Sequence, residues 1–212
     1  MRWSYSKLGM YKECPAKVKY RYIDKLPSTP GPAAARGVAI HAKIESYLKG
    51  ESTIGEMEEV NFYGDWLARL RVLGAQPELK IAVKKDWSPC GWEDPDVWGV
   101  GVIDAWLPSA PIAWDWKTGK VYEEDHFAQR ELYTAMLFGH VPDAYEVKFS
   151  HVYVDIHKER TTTFHRNTIP DLRKRWSDKI SIMEADTIMA PNPSFKCRWC
   201  PYSKQSGGPC DF

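Results

Sequence analysis

The stretch GVIDAWLPSAPIAWDWKTGK holds two aspartates and a lysine at spacings that strand geometry can bring to one point. Pro-Ser-Ala-Pro at 108–111 separates two apolar runs, which makes a hairpin of ordinary loop length. If Leu107 pairs with Ile112, the register sets Asp104 opposite Asp115, with Cβ atoms roughly 4.5–5.5 Å apart. Lys117 lies two residues past Asp115 and shares its face. Facing carboxylates repel, and burial would force a proton onto one of them. A divalent cation resolves the conflict: oxygen ligands suit Mg²⁺ or Mn²⁺, and such an ion can polarise a phosphate and activate water. Lys117 then stands where it can hold that water or meet charge developing on the phosphoryl group. A lone Asp-x-Lys would read as a weak surface pair. Val-Ile-Asp and Ala-Trp-Asp-Trp are too apolar for an exposed face, so the metal-site reading is preferred.

A second cluster is made of cysteines. The chain has Cys14, Cys90, Cys197, Cys200 and Cys210, an odd number that argues against a disulfide framework. Cys197-x2-Cys200 has the short chelate spacing of zinc and iron–sulfur sites. Cys210 follows through a Gly-Gly-Pro segment, and Cys14, from the other end of the chain, is the candidate fourth ligand. Cys90 has no assigned partner.

These residues need elements to carry them. Leu8, Tyr11, Val18 and Tyr22 recur at helical spacing over 4–23, with Pro15 marking a break or restart. Residues 26–32 read as a loop, 33–48 as a second helix, and Glu56 to Leu73 as a third. The period then shortens: 78–87, 97–107 and 111–117 read as strands. Residues 120–139 return to helix, 145–156 and 160–166 read as strands joined at His157-Lys158, and 169–186 as a last helix opened by Pro170. The order predicts mixed α/β or α+β architecture around a central sheet.

At 212 residues the chain is long enough for one domain with a real core. A net charge of +1 excludes a strongly basic coat, so nucleic-acid binding would rest on a local patch or on metal ions. Arg173, Lys174 and Arg175 are the candidate patch, though they also suit a solvated helix face. The start lacks the features of a signal peptide, and no apolar run is long enough to span a membrane, so the expected location is cytoplasmic. There is no GxxxxGK[ST] loop, so any ATP-driven motor would be another protein.

The hairpin resembles the core of the PD-(D/E)XK nucleases, and its surroundings resemble their RecB-like branch. Arg36-Gly37-x3-His41 is similar to the helix motif that supplies a histidine metal ligand, and Gly101-x2-Asp104 to motif II. Asp115-Trp116-Lys117-Thr118-Gly119 is similar to motif III, and Gln129-x3-Tyr133 to the QxxxY helix motif. The cysteines, with Cys14-Pro15 early and Cys197-x2-Cys200-Pro201 late, resemble those of the iron–sulfur members, the AddB-type and CRISPR-adaptation exonucleases. The gap before Cys210 is longer than in that pattern, which leaves zinc open as the occupant.

The resemblance implies a restriction-endonuclease-like α/β fold, a central mixed sheet flanked by helices. Residues 1–212 would form one nuclease domain, with 1–32 and 188–212 making a cysteine-cluster appendage that joins the termini. It implies Mg²⁺ or Mn²⁺ held by His41, Asp104, Asp115 and the Trp116 carbonyl, with Lys117 acting on water or transition state. Gln129 and Tyr133 would orient substrate or catalytic groups. On its own, His41 would read as a helix-surface histidine, and Tyr133 as a core residue. Glu78 is either an acidic residue of the family pattern or an ordinary strand-end glutamate, and Glu45 stays outside the ligand set. Cys14, Cys197, Cys200 and Cys210 would hold a 4Fe–4S cluster, with Zn²⁺ as the alternative. The implied activity is metal-dependent hydrolysis of DNA, as an exonuclease on single strands or ends, in replication, recombination or repair, including phage or CRISPR settings. The rivals are a non-catalytic cluster-bearing DNA-binding module and a subunit of a helicase–nuclease or recombination complex.

Overall fold

A computed structural model describes residues 2–28, 31–53, 55 and 58–212, with the backbone alone for 58 and 59. Its five strands are β1 (Gln76–Val83), β2 (Gly99–Leu107), β3 (Ile112–Lys117), β4 (Glu146–Tyr153) and β5 (Lys158–His165). They form one sheet in chain order. β3 and β4 run parallel and the other neighbours antiparallel. A parallel pair needs a crossover, and α5 (Glu123–His140) supplies it. The expected central mixed sheet is present.

The helices follow their caps and breakers. α1 (Tyr5–Glu13) is capped by the Ser4 hydroxyl, which accepts from Lys7 N. Pro15 then starts α2 (Pro15–Val18), and a π-helical turn, Lys19–Ile23, ends this arm. α3 (Pro32–Lys49) starts on a proline and stops at Gly50, whose φ of 83° is left-handed. The helix expected from Glu56 divides: Glu56 lies outside the described residues, Glu58–Tyr63 is a 3-10 segment, and α4 is Gly64–Val72. The expected loop at 26–32 is only partly described, residues 29 and 30 lying outside. α6 (Ile169–Ala185) is the last long helix. β4 ends three residues short of the expected 156, because Val154–Ile156 tightens into a 3-10 turn that leads to left-handed His157.

The sheet separates two cores. Ile81, Ile103, Ala113 and Phe149 pack with Leu132 and Met136 of α5 and with Leu172, Trp176 and Ile180 of α6. Ala105, Leu107, Trp114 and Trp116 pack with Ile40 and Ile44 of α3 and with Leu67 and Leu70 of α4. This sandwich of helices around a sheet buries apolar side chains on both faces. Trp3 is fully buried in the first core and bridges Gly99, so the amino-terminal segment contributes to the main core. No helix among the described residues is long and apolar enough to cross a membrane.

Candidate active site

The expected Leu107–Ile112 pairing is present, but the β2–β3 ladder ends at Ala105–Trp114. Asp104 and Asp115 are therefore not a ladder rung, as simple strand parity had them. Instead, Asp104 Oδ2 accepts the Trp116 backbone N–H at 2.6 Å, which takes the place of a strand partner. β2 is irregular here. Ile103 and Trp106 pack in one core whereas Ala105 and Leu107 pack in the other, so side-chain alternation slips at Asp104. Across from it Glu78 adopts a left-handed φ of 51°, and the β1–β2 register passes over this pair. Local distortion of this kind re-aims a side chain at the rim of a sheet.

His41 enters the gap from α3. Its Nε2 lies 2.9 Å from the Trp116 carbonyl and its Nδ1 3.3 Å from Asp104 Oδ2. Burial pulls its pKa down, but the hydrogen bond and charge of Asp104, with the charge of Asp115, outweigh that and leave it raised. Asp115 is buried, and desolvation pushes its carboxyl up to about 6; Lys117 opposes this and Asp104 adds to it. The Lys117 ammonium meets Asp115 Oδ2, and Gln129 Nε2 of α5 donates to Asp115 Oδ1 at 3.0 Å. Tyr133, one turn on, is buried; its ring packs beside Phe149 and its phenol is raised by burial and then by the Asp115 charge. His41, Asp104, Asp115, Trp116, Lys117 and Gln129 thus converge at the open end of β2 and β3.

The motif glycines are explained by close approach. A Cβ on Gly37 would meet Thr118 Oγ1 at 3.1 Å, so a bare backbone there lets α3 settle against the segment after Lys117. A Cβ on Gly101 would meet Tyr133 Cε1 at 3.0 Å, so Gly101 makes room for the tyrosine of the α5 motif. Glu78 stands near Asp104: its carboxyl is raised by burial first, then by the Asp104 and Glu45 charges. Glu45 itself pairs with Lys49 at 2.5 Å.

Among the described residues no three His, Cys, Asp or Glu side chains are placed to hold a metal ion as they stand. The donor chemistry nevertheless suits one. Two carboxylates, an imidazole and a backbone carbonyl face one another, and the Lys117 ammonium and a readily protonated His41 lie against the carboxylates where a divalent charge would.

Three polar residues near the site escaped the sequence reading. Asp155 takes both Arg36 guanidinium nitrogens, at 2.6 and 3.1 Å, and the Gly119 N–H at 2.6 Å, which ties α3 to the turn after Lys117. His151 sits opposite Asp115 on β4, and Arg130 of α5 lies 2.9 Å from its ring. The available signal was a histidine at the same strand parity as apolar Val147, Phe149 and Tyr153, a face on which burying a polar ring is costly.

Cys14, Cys197, Cys200 and Cys210 all line one small cavity, of about 20 Å³ and partly open to solvent. Asn192 N donates to Cys14 Sγ and Ser194 N to Cys197 Sγ, each at 3.3 Å. The candidate basic patch on α6 is largely committed elsewhere. Arg173 Nε donates to the Ala135 carbonyl at 3.0 Å, Lys174 pairs with Asp178 and Arg175 with Glu131.

Comparison with known proteins bears on the fold and the family. The family model of the PD-(D/E)XK nuclease superfamily matches residues 2–205. No curated protein matches the chain. The crystal structure of SSO0001 superposes with a TM-score of 0.50 at 17% identity, covering 100% of this chain and 87% of that one. A protein from Eubacterium rectale provisionally named an exonuclease superposes with a TM-score of 0.55 at 9% identity, covering 97% of this chain and 92% of its own. At these identities the structural likeness is one of fold, and the family match carries the assignment. Because that family model spans nearly the whole chain and the mixed sheet flanked by helices is consistent with it, the chain belongs to the PD-(D/E)XK nuclease superfamily.

Proposed function

We propose that this chain is a DNA nuclease dependent on Mg²⁺ or Mn²⁺, acting as an exonuclease on single strands or strand ends. The observation that carries this reading is the convergence of His41, Asp104, Asp115 and the Trp116 carbonyl beside Lys117 in a half-buried gap between β2 and β3. A divalent ion held by those four groups would supply Lewis-acid polarisation of the scissile phosphate and acidify the attacking water. The chain's own residues do the rest. Lys117, released from Asp115, holds the water or meets charge building on the phosphoryl oxygens. Gln129 keeps Asp115 aimed by its hydrogen bond to Oδ1. Tyr133 supports Gln129 from the next turn, and Asp155 with Arg36 fixes α3 and the Thr118-Gly119 turn against each other. The provisional exonuclease name of the Eubacterium rectale neighbour is consistent with action on ends. In the alternative reading, a subunit of a helicase–nuclease or recombination complex, any ATP-driven motor would be another protein.

The cysteines belong to the same proposal. Within one nuclease domain, residues 1–32, anchored in the main core by Trp3, and 188–212 would make the cysteine-cluster appendage in which Cys14, Cys197, Cys200 and Cys210 bind an iron–sulfur cluster, with zinc as the alternative. Support comes from the shared cavity and from the backbone N–H groups aimed at two of the sulfurs.

The test is anaerobic purification with iron, sulfide and zinc analysis, followed by Mn²⁺-dependent cleavage of linear and circular DNA. Preferential loss of linear substrate, abolished in Asp115→Asn, supports the reading. Equal cutting of circles makes the protein an endonuclease. No cutting of either, with retained DNA binding, leaves the non-catalytic binding module.

A further inference from the structure

Behind Asp115 lies a buried polar chain that the function above does not use. The parallel register of β3 and β4 sets His151 against Asp115. His151 has no solvent exposure and Arg130 is 2% exposed. Arg130 Nη1 stands 2.9 Å from His151 Nδ1. A guanidinium has only donors, so Nδ1 must accept, and the single proton of the neutral ring sits on Nε2. That N–H has no hydrogen-bond partner, and it faces Asp115 Oδ2 at 3.5 Å.

We propose that His151 is a positioning residue for Asp115: a neutral N–H donor that takes Oδ2 when Lys117 leaves it for the substrate, with Arg130 fixing the tautomer. The proposal rests on the cation-dependent reading for what Asp115 then does. In the resting arrangement Lys117 meets Oδ2 and Gln129 holds Oδ1. Once Lys117 moves, Oδ2 is a buried carboxylate oxygen without a donor, and a sub-ångström closure brings Nε2–H to hydrogen-bond distance. A neutral donor is the type the site requires. A second permanent cation against Asp115 would compete with the divalent ion, whereas an imidazole orients the carboxylate and leaves its charge available. Arg130 keeps its charge one ring away. It is balanced by Glu123, 3.4 Å from Nη2, which in turn pairs with Arg160 nearer the surface. His126 flanks the ring at 5.3 Å between centroids and contacts the Tyr153 hydroxyl at 3.1 Å. Burial, with the charges of Lys117 and Arg130, holds His151 far below the usual histidine range and pulls His126 down to about 4.

Two measurements on the full chain test this. Long-range ¹H–¹⁵N correlation on the wild-type protein should show His151 as the Nε2–H tautomer between pH 6 and 8, lost in Arg130→Met. The Nδ1–H tautomer in the wild type would overturn the proposal. Calorimetric Mn²⁺ affinity should fall about tenfold to a hundredfold in His151→Leu, which removes the donor, and return most of the way in His151→Gln, which keeps one. Wild-type affinity in His151→Leu, or equal loss in both variants, would also overturn it, since volume alone would then explain the residue. If the wild type takes up no Mn²⁺, the function proposed above fails on its own. The tautomer measurement still decides whether Arg130 turns His151 toward Asp115.

Discussion

The Asp104 carboxylate accepts the backbone N–H of Trp116 at 2.6 Å, so a side chain of one strand occupies the place of a backbone partner on the next. This keeps a buried amide satisfied while β3 departs from β2, and the departure leaves the gap that His41 fills. Asp104→Asn retains an acceptor and loses the charge: the fold should hold and Mn²⁺ affinity should fall. Asp104→Ala leaves the Trp116 N–H unpaired and should cost about 1–3 kcal/mol in addition. Urea unfolding of both variants checks the difference, and equal stabilities would mean the N–H finds another partner.

Asp115 should make the metal-free protein less stable as pH rises. Its folded pKa, about 6, lies above the ordinary value for an unfolded aspartate, about 3.9. Between those values the folded state binds more protons than the unfolded one, so stability falls as pH climbs through the window and then levels. Two pKa units set an upper limit of roughly 3 kcal/mol. Asp115→Asn should therefore be the more stable protein at pH 8 in a chelator, by less than that limit because Lys117 loses its partner. The gap should close toward pH 4. A variant less stable than wild type at pH 8 would show that the ion pair with Lys117 outweighs desolvation.

Gly101 should resist substitution for a packing reason. An alanine there presses on Tyr133 Cε1 at 3.0 Å and on Ile81 Cγ1 at 3.3 Å. Overpacking of this size costs about 1–3 kcal/mol. Because the tyrosine is the obstacle, Gly101→Ala combined with Tyr133→Leu should cost less than the two single changes together. Additive melting data would place the strain elsewhere.

The cysteines should act as one unit. If a single centre joins Cys14 to Cys197, Cys200 and Cys210, it closes a loop of almost the whole chain, and its binding energy becomes folding energy. Serine at any of the four should remove the metal and cost on the order of 3 kcal/mol, or about 10 °C in Tm for a chain of this size. Cys90 does not line the cavity, and Cys90→Ser should be neutral. Full metal content in Cys14→Ser would make the carboxy-terminal cysteines an independent knuckle.

Much of this protein is local information. Apolar period and breakers placed the long helices and all five strands, because backbone preference and side-chain alternation act within a few residues. Spacing alone paired Leu107 with Ile112 and brought Asp104, Asp115 and Lys117 to one end of a hairpin. What local pattern could not contain is the parallel pairing of β3 with β4, which sets His151 behind Asp115 and Asp155 beside Gly119. That pairing joins residues 36 apart in the chain and depends on α5 packing across the sheet between them. The slip at Asp104 was hidden for a related reason. Alternation predicts where a side chain points only while the ladder continues, and here a buried N–H is better served by a carboxylate than by the next rung. The same holds for the charges on α6: residue type announced a basic run, and only the folded neighbours Glu131 and Ala135 decided that Arg175 and Arg173 were already engaged.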